Sequence, residues 1–236
     1  MRISNIYSPK VAGEHTAEEV IFRRGLGDLF NELREVILNT HLEITDTPQL
    51  NKAVQIKGLS DTLNKALSAS LHSLGWKPAI APGTENPLGT SDFVKLRPSG
   101  LAFMGDIGLA VEVQFGNNYQ FNADVQRLSE AILQGKVVAG VSIVASDELA
   151  KYKADRGTSF SNAKDKLERW LHIWSGSGAI LLPSIMIIAI EHDKFLDSTK
   201  PQFSIKSPMY DLQKTNNELI PVAWKQFGTT GVTEGD

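Results

Sequence analysis

The segment Val111-Glu112-Val113-Gln114-Phe115 sets a carboxylate and an amide two residues apart between apolar neighbours. On a β-strand, alternate residues share a face, so Glu112 and Gln114 project together while Val111, Val113 and Phe115 point the other way. If that strand is central, the polar pair needs partners, because burying an unpaired charge is costly. A hard divalent cation is one such partner, and a second carboxylate is then needed to hold it. Asp92 lies on the preceding strand, where a hairpin would bring it beside Glu112. Mg²⁺ binds oxygen ligands in octahedral geometry at roughly 2.0–2.1 Å and keeps several waters, so two carboxylates suffice to hold it. The open positions then serve a phosphate oxygen and an acidified water, the apparatus of phosphodiester hydrolysis. The spacing is equally compatible with a Glu on the solvent face of an antiparallel sheet.

Helices and strands must position these groups. Gly27 to Thr40 places Leu29, Leu33, Val36 and Ile37 at helical intervals, and Leu59 to Leu74 repeats the pattern before Gly75 stops it. After Pro82-Gly83, turn residues cluster and β-type segments begin. Strands are expected at Asp92–Arg97 and Leu109–Phe115, with Pro98-Ser99-Gly100 as a break. A helix from Asn122 to Gln134, capped by Asn122 and ended by Gly135, leads to the β-branched run Val137–Ala145. A second helix, about Ser161 to Trp174, precedes a last core strand at Ile185–Ile190. This alternation predicts an α/β fold, a mixed sheet with a partly parallel centre and helices packed on it. The expected organisation is one domain over residues 1–236: a mainly helical part over 1–80, an α/β core over 90–192 and a polar C-terminal extension over 193–236 whose elements the pattern does not place.

Composition narrows the chemistry. The 236 residues carry 24 Lys+Arg against 27 Asp+Glu, a net charge of −3, and are 42% hydrophobic, enough for a real core. The absence of cysteine excludes disulfide frameworks, Cys-ligated zinc, Fe–S clusters and thiolate nucleophiles. The mildly acidic balance argues against a general nucleic-acid coating protein, though not against a basic groove on an acidic whole. The start MRISNIYSPK has no apolar signal region, and the apolar stretch Ala179–Ile190 is short and broken by Pro183 and Ser184, so the chain is expected to be cytoplasmic and not to span a membrane. Histidines 15, 41, 72, 172 and 192 lack metal-ligand spacing and read as structural or surface residues. No complete dinucleotide fingerprint, phosphate loop or GxSxG motif is present.

Asp92, Glu112 twenty residues later, then Gln114, resembles the PD-(D/E)xK nuclease signature in the variant with Gln in place of the usual Lys. More narrowly, SDFVK at 91–95 and AVEVQFG at 110–116 resemble the BglII/BstYI group of type II restriction endonucleases. MRISNIYS at the start, LHSLGWK at 71–77 and LLPSIMIIAI at 181–190 agree in order, so the similarity covers about residues 1 to 192. The resemblance implies a restriction-endonuclease-like fold, with Asp92 and Glu112 as Mg²⁺ ligands, the Val113 carbonyl a possible third, and Gln114 as the remaining catalytic residue. An amide cannot act as a base, so Gln114 is left to orient the attacking water or hold a scissile phosphate oxygen. The interval between Asp92 and Glu112 is longer than expected for the group, and Asp106 inside it is a rival ligand. Its setting Gly105-Asp106-Ile107-Gly108 reads more naturally as a tight turn.

The resemblance also implies double-stranded DNA as substrate. Asn117 and Asn118, in the turn after EVQF, suit adenine readout, with an ordinary Gly-Asn-Asn turn as the alternative. Lys151–Lys166 holds five basic and two acidic residues. Within it Arg156, Thr158 and Ser159 occupy the position of a base-reading loop; the alternative is a solvated loop with a Ser cap before the next helix. The expected activity is Mg²⁺-dependent cleavage of a short palindromic site, GATC-centred by resemblance, by a homodimer whose twofold axis matches that of the site, with a cognate DNA methyltransferase in the same system. A structure-specific or repair nuclease of the same fold, and a catalytically silent DNA-binding module, are the competing readings.

Overall fold

The computed structural model describes residues 1–11, 13–46, 56, 58–78, 92–99, 105–115, 120–135, 137–152, 158–174, 183–198, 200 and 202–210, without the side chains of 78, 173 and 174. Their elements run in the order β1 (Arg2–Tyr7), α1 (Ala17–Arg23), α2 (Gly27–Leu38), β2 (His41–Thr45), α3 (Leu59–Ser73), β3 (Lys77–Pro78), β4 (Phe93–Pro98), β5 (Asp106–Gln114), α4 (Gln120–Leu133), β6 (Val137–Ala145), α5 (Asp147–Ala150), α6 (Phe160–Trp174), β7 (Ile185–Glu191), β8 (Lys194–Leu196) and β9 (Phe203–Lys206).

A six-stranded sheet, ordered β1-β7-β6-β5-β4-β3, carries the core. Its centre is parallel, β5 beside β6 and β6 beside β7, because α4 and α6 each supply a crossover between consecutive strands. Its flanks are antiparallel: β4 pairs β5, β3 pairs β4, and β1 closes the other edge against β7. Strand β7 is buried at every position and β6 at all but one, as expected for parallel strands covered on both faces. The alternation of each strand sorts the core into two layers. On β4, β5 and β6, positions such as Phe93, Leu109, Val111, Val141 and Ile143, and on β7 Met186, Ile188 and Ile190, pack with α1, α2 and α3 through Ile21, Leu33, Ile37 and Leu67. The opposite face, through Val94, Ala110, Val144, Ile185 and Ile187, meets Phe121, Val125 and Leu128 of α4 and Ala163 and Leu167 of α6.

The predicted helices and core strands are all present, with ends moved by one to three residues. Two local expectations fail. Helix α4 begins at Gln120, so Asn122 lies inside its first turn and is not its cap. Strand β5 begins at Asp106, which pairs with Pro98, so Asp106 is a strand residue and not a turn residue. The part expected to be mainly helical also contributes three strands. The described residues beyond 193 are woven back into it: β8 pairs parallel with β2, and β9 pairs antiparallel with the other edge of β2. Asp193 ties the corner, its carboxylate accepting from the Leu42 amide at 2.7 Å. None of the helices among the described residues is long and apolar enough to cross a membrane.

Gly108 locks the β4–β5 hairpin. A Cβ there would lie 1.9 Å from the Lys95 carbonyl oxygen and 2.8 Å from a Leu96 methyl. The partner β6 absorbs a register shift at the same place, between Gly108 and Leu109. Gly108→Ala is therefore expected to destabilise the protein by about 2–3 kcal/mol, the upper part of the range for overpacking, as a lowered urea midpoint. Gly140→Ala should cost less, because the neighbour its Cβ meets at 2.9 Å is the Leu128 side chain on a helix that can shift.

Candidate active site

Hairpin register assembles the site. Phe93 pairs with Val111, so Asp92, the residue just before β4, stands opposite Glu112. Both lie on the face that carries Val94 and Ala110, and Gln114 follows two residues along on the same face. Asp92 Oδ2 accepts a hydrogen bond from the Val113 amide at 2.9 Å, which fixes its carboxyl across the end of β5. The Asp92 and Glu112 carboxyls are close enough to perturb each other's ionisation. Glu112 is 1% exposed, although it carries the acid of a surface residue type.

Helix α4 brings the balancing groups. Its inner face reads Phe121, Asp124, Val125, Leu128, Ala131, all buried, so Asp124 occupies a core-facing position, and Arg127 follows one turn later. Arg127 grips both Glu112 oxygens, Nε to Oε1 at 3.0 Å and Nη2 to Oε2 at 3.1 Å, in the fork geometry that suits a carboxylate. The same guanidinium donates to Asp124 Oδ1, and Gln114 Nε2 donates to Asp124 Oδ2 at 2.7 Å. Lys166 of α6 is close enough to feel the Asp124 charge and lies over the Phe121 ring.

Burial raises the affinity of all three carboxyls for protons. Glu112 is pushed well above the usual carboxylate range, first by loss of solvent and then by the neighbouring Asp92 charge, against the pull of Arg127. Asp92 is raised by burial, which outweighs the Val113 amide, Arg127 and the neighbouring Glu112. Asp124 is raised to about 6, by burial ahead of its bonds to Arg127 and Gln114. For Arg127, burial opposes its charge, but the contacts with Glu112, Asp124 and Asp92 prevail and raise it. Three carboxyl groups thus share one guanidinium, and burial makes each of them harder to ionise. Ser142, in register beside Glu112 on β6, is fully buried, and its hydroxyl finds no partner among the described residues. No three acidic or histidine side chains among the described residues form a ready-made metal cage. Two adjacent carboxylates and a backbone carbonyl nevertheless fit a hard cation that retains much of its water.

A family model described as restriction endonuclease BglII/BglIII matches residues 11–176, and that span contains the whole cluster. The chain belongs to the BglII/BglIII restriction endonuclease family. Its fold agrees: the crystal structure of restriction endonuclease BglII complexed with a DNA 16-mer superposes with a TM-score of 0.56 at 17% identity, over 87% of this chain and 90% of that one. Comparison with curated proteins gave no match. As a member of this family the chain is a type II site-specific DNA nuclease.

For such a nuclease the placement of the other expected residues matters. Asp106 is exposed at the opposite end of β5, six residues and so roughly 20 Å from Glu112, which removes it as a co-ligand. Asn117, Asn118 and Arg156 lie outside the described residues. Thr158 is fully buried, so its hydroxyl cannot meet a base edge in this conformation. Ser159 is half-buried and immediately precedes α6: its hydroxyl accepts from the Asn162 amide at 3.5 Å, while Ser161 holds the Asp147 carboxylate. Ser159 thus stands at the helix start, where its hydroxyl reaches the Asn162 amide. Asp124 and Arg127 were not anticipated. The signal was present, since Asp124 sits three residues after Phe121 and four before Leu128, on a stripe that is otherwise apolar.

The pH dependence follows in sign. An acid whose folded pKa is raised stabilises the fold fully below its unfolded value and loses that contribution as pH rises through the folded value. In cation-free buffer, the stability of the wild-type protein minus that of Asp124→Asn should therefore fall as pH rises from about 4 to about 6 and then level off. Paired thermal melts across this window check it; a difference that stays flat would contradict the assignment.

Proposed function

We propose that the protein is a Mg²⁺-dependent endonuclease that cuts both strands of a short palindromic site as a homodimer, with Asp92 and Glu112 as metal ligands and Gln114 as the third catalytic side chain. One observation carries this reading: the half-buried Asp92 carboxyl and the buried Glu112 carboxyl meet in register at the end of a hairpin, with an amide two residues farther along the same face. A cation held by Asp92, Glu112 and the Val113 carbonyl would polarise a phosphate oxygen and lower the pKa of a water. Asp92, anchored by the Val113 amide, keeps its carboxyl aimed at the position shared with Glu112. Gln114 donates from Nε2 to Asp124, which fixes its amide on the face of the two carboxyls, where it would help orient an attacking water or a scissile phosphate oxygen. The apolar layer of Phe121, Val125 and Leu128 beneath the cluster excludes water from its rear and strengthens each electrostatic contact.

Asn117, Asn118 and Arg156 are the proposed base readers, on the segments that follow β5 and precede α6. A GATC-centred site, a twofold dimer matched to the twofold of the site, and a partner methyltransferase that protects host DNA complete the proposal. A catalytically silent DNA-binding module is the second reading. It is favoured by Gln114 standing where Lys is usual and by the hold of Arg127 on Glu112. Incubation with plasmid or phage DNA and Mg²⁺, followed by sequencing of the fragment ends, separates the two: discrete bands with one shared end sequence support the enzyme, and retardation without cutting in Mg²⁺ or Mn²⁺ supports the module.

Asp92→Ala and Glu112→Ala are each expected to abolish cutting while sparing DNA binding in Ca²⁺; near-normal cleavage by either variant would refute the ligand assignment. Arg156→Ala should weaken discrimination between the preferred site and single-base variants by about 1–3 kcal/mol, read from relative cleavage rates. An unchanged preference would remove Arg156 from the reading loop.

A further inference from the structure

Arg127 stands where a metal ion's charge would otherwise act. Its bidentate contact engages both Glu112 oxygens, at 3.0 and 3.1 Å, on the residue that hairpin register sets opposite Asp92. A second cation brought to Glu112 would therefore meet a fixed positive charge within a few ångströms, in surroundings where that repulsion is poorly screened. The guanidinium also has somewhere to go. Asp124, one turn earlier on the same helix, already accepts from Nη2 and is held in place by Gln114, so Arg127 can leave Glu112 without losing every partner. Its side chain is 28% exposed while Glu112 is 1% exposed, so the arginine lies on the solvent side of the pair and its movement opens the carboxylates outward.

We propose that Arg127 is a gate on cation loading: in the free protein it occupies Glu112 as an internal counter-ion, and it must move onto Asp124 before a divalent ion can be held between Asp92 and Glu112. Asp124 and Gln114 are then positioning residues, the first as the alternative anchor and the second as the group that aims it. This inference rests on the reading of Asp92 and Glu112 as a cation-binding pair.

The test measures Mn²⁺ binding to the full chain without DNA at constant pH, by the paramagnetic resonance signal of free Mn²⁺, for wild type, Arg127→Met, Arg127→Lys and the double variant Asp92→Asn/Arg127→Met. Arg127→Met, which keeps much of the side-chain length but not the charge, is expected to bind Mn²⁺ roughly tenfold more tightly or better, since removing one close like charge is worth at least that factor. It should also melt below wild type in EDTA and gain more from saturating Mn²⁺ than wild type does, a readout that a purely structural arginine would not move. Arg127→Lys, a point charge without the fork, should fall between the two and decides the matter if the Met variant fails to fold. Affinity equal to or weaker than wild type in the folded variants overturns the gate while leaving the metal reading standing. Tight Mn²⁺ binding that survives Asp92→Asn overturns both, because the ion then lies elsewhere.

Discussion

Two carboxyl groups held side by side in a poorly hydrated place are the constraint around which this molecule is organised. The pairing of Phe93 with Val111 leaves no choice: Asp92 and Glu112 must share one face of the hairpin. Water is then excluded by α4, whose apolar residues press on that face. A lone buried carboxylate is unfavourable by several kcal/mol, and two in contact are worse, so the surroundings must answer with protons, donors or cations. The fold uses a backbone amide on Asp92 and a guanidinium on Glu112, and the carboxyls still retain protons more firmly than they would in water. A site of this kind is suited to receiving positive charge from outside, which fits the proposed role of holding a cation beside a phosphate.

The rest of the architecture keeps that arrangement rigid. Parallel strands β6 and β7, buried along their length, form the floor on which β5 is fixed, and the two helical layers clamp the sheet from both sides. Gly108 admits the close approach of β4, so hairpin register and site geometry depend on one backbone contact. The residues that follow the core are no appendage. Through β8 and β9 they make a second sheet with β2, between the N-terminal helices, and so brace a part of the chain remote in sequence. At the junction, Glu191 accepts from the Ser146 hydroxyl at 2.5 Å and contacts His192 at 2.5 Å, a buried polar knot that joins the end of β7 to the start of α5.

Much of this was legible from local pattern. Val137–Ala145 and Ile185–Ile190 are β-branched runs whose burial needs no knowledge of their neighbours, and the helices over 27–40, 59–74 and 161–174 declare themselves by the period of their apolar residues. Strand β1 was not legible, because as an edge strand it is mostly exposed and lacks a clean alternation. Strands β8 and β9 were missed for a related reason: each is short and gains its stability by pairing with β2, some 150 residues away. The capping assignment of Asn122 failed because tertiary packing extended α4 two residues beyond the local signal.

For the site, the division has a physical basis. Side-chain alternation is a property of a single strand, so the sequence alone determined that Glu112 and Gln114 point the same way, that Val111, Val113 and Phe115 point the other, and that a carboxylate so placed needs a counter-charge. Which carboxylate joins it depends on cross-strand register, and register arises from contacts between segments separated by the Asp92–Glu112 interval; only the tertiary structure placed Asp92 opposite Glu112 and sent Asp106 to the far end of β5. Likewise, Arg127 and Asp124 became part of the site only when α4 packed its inner face against that strand, because the interaction of charges depends on distance through space and not along the chain.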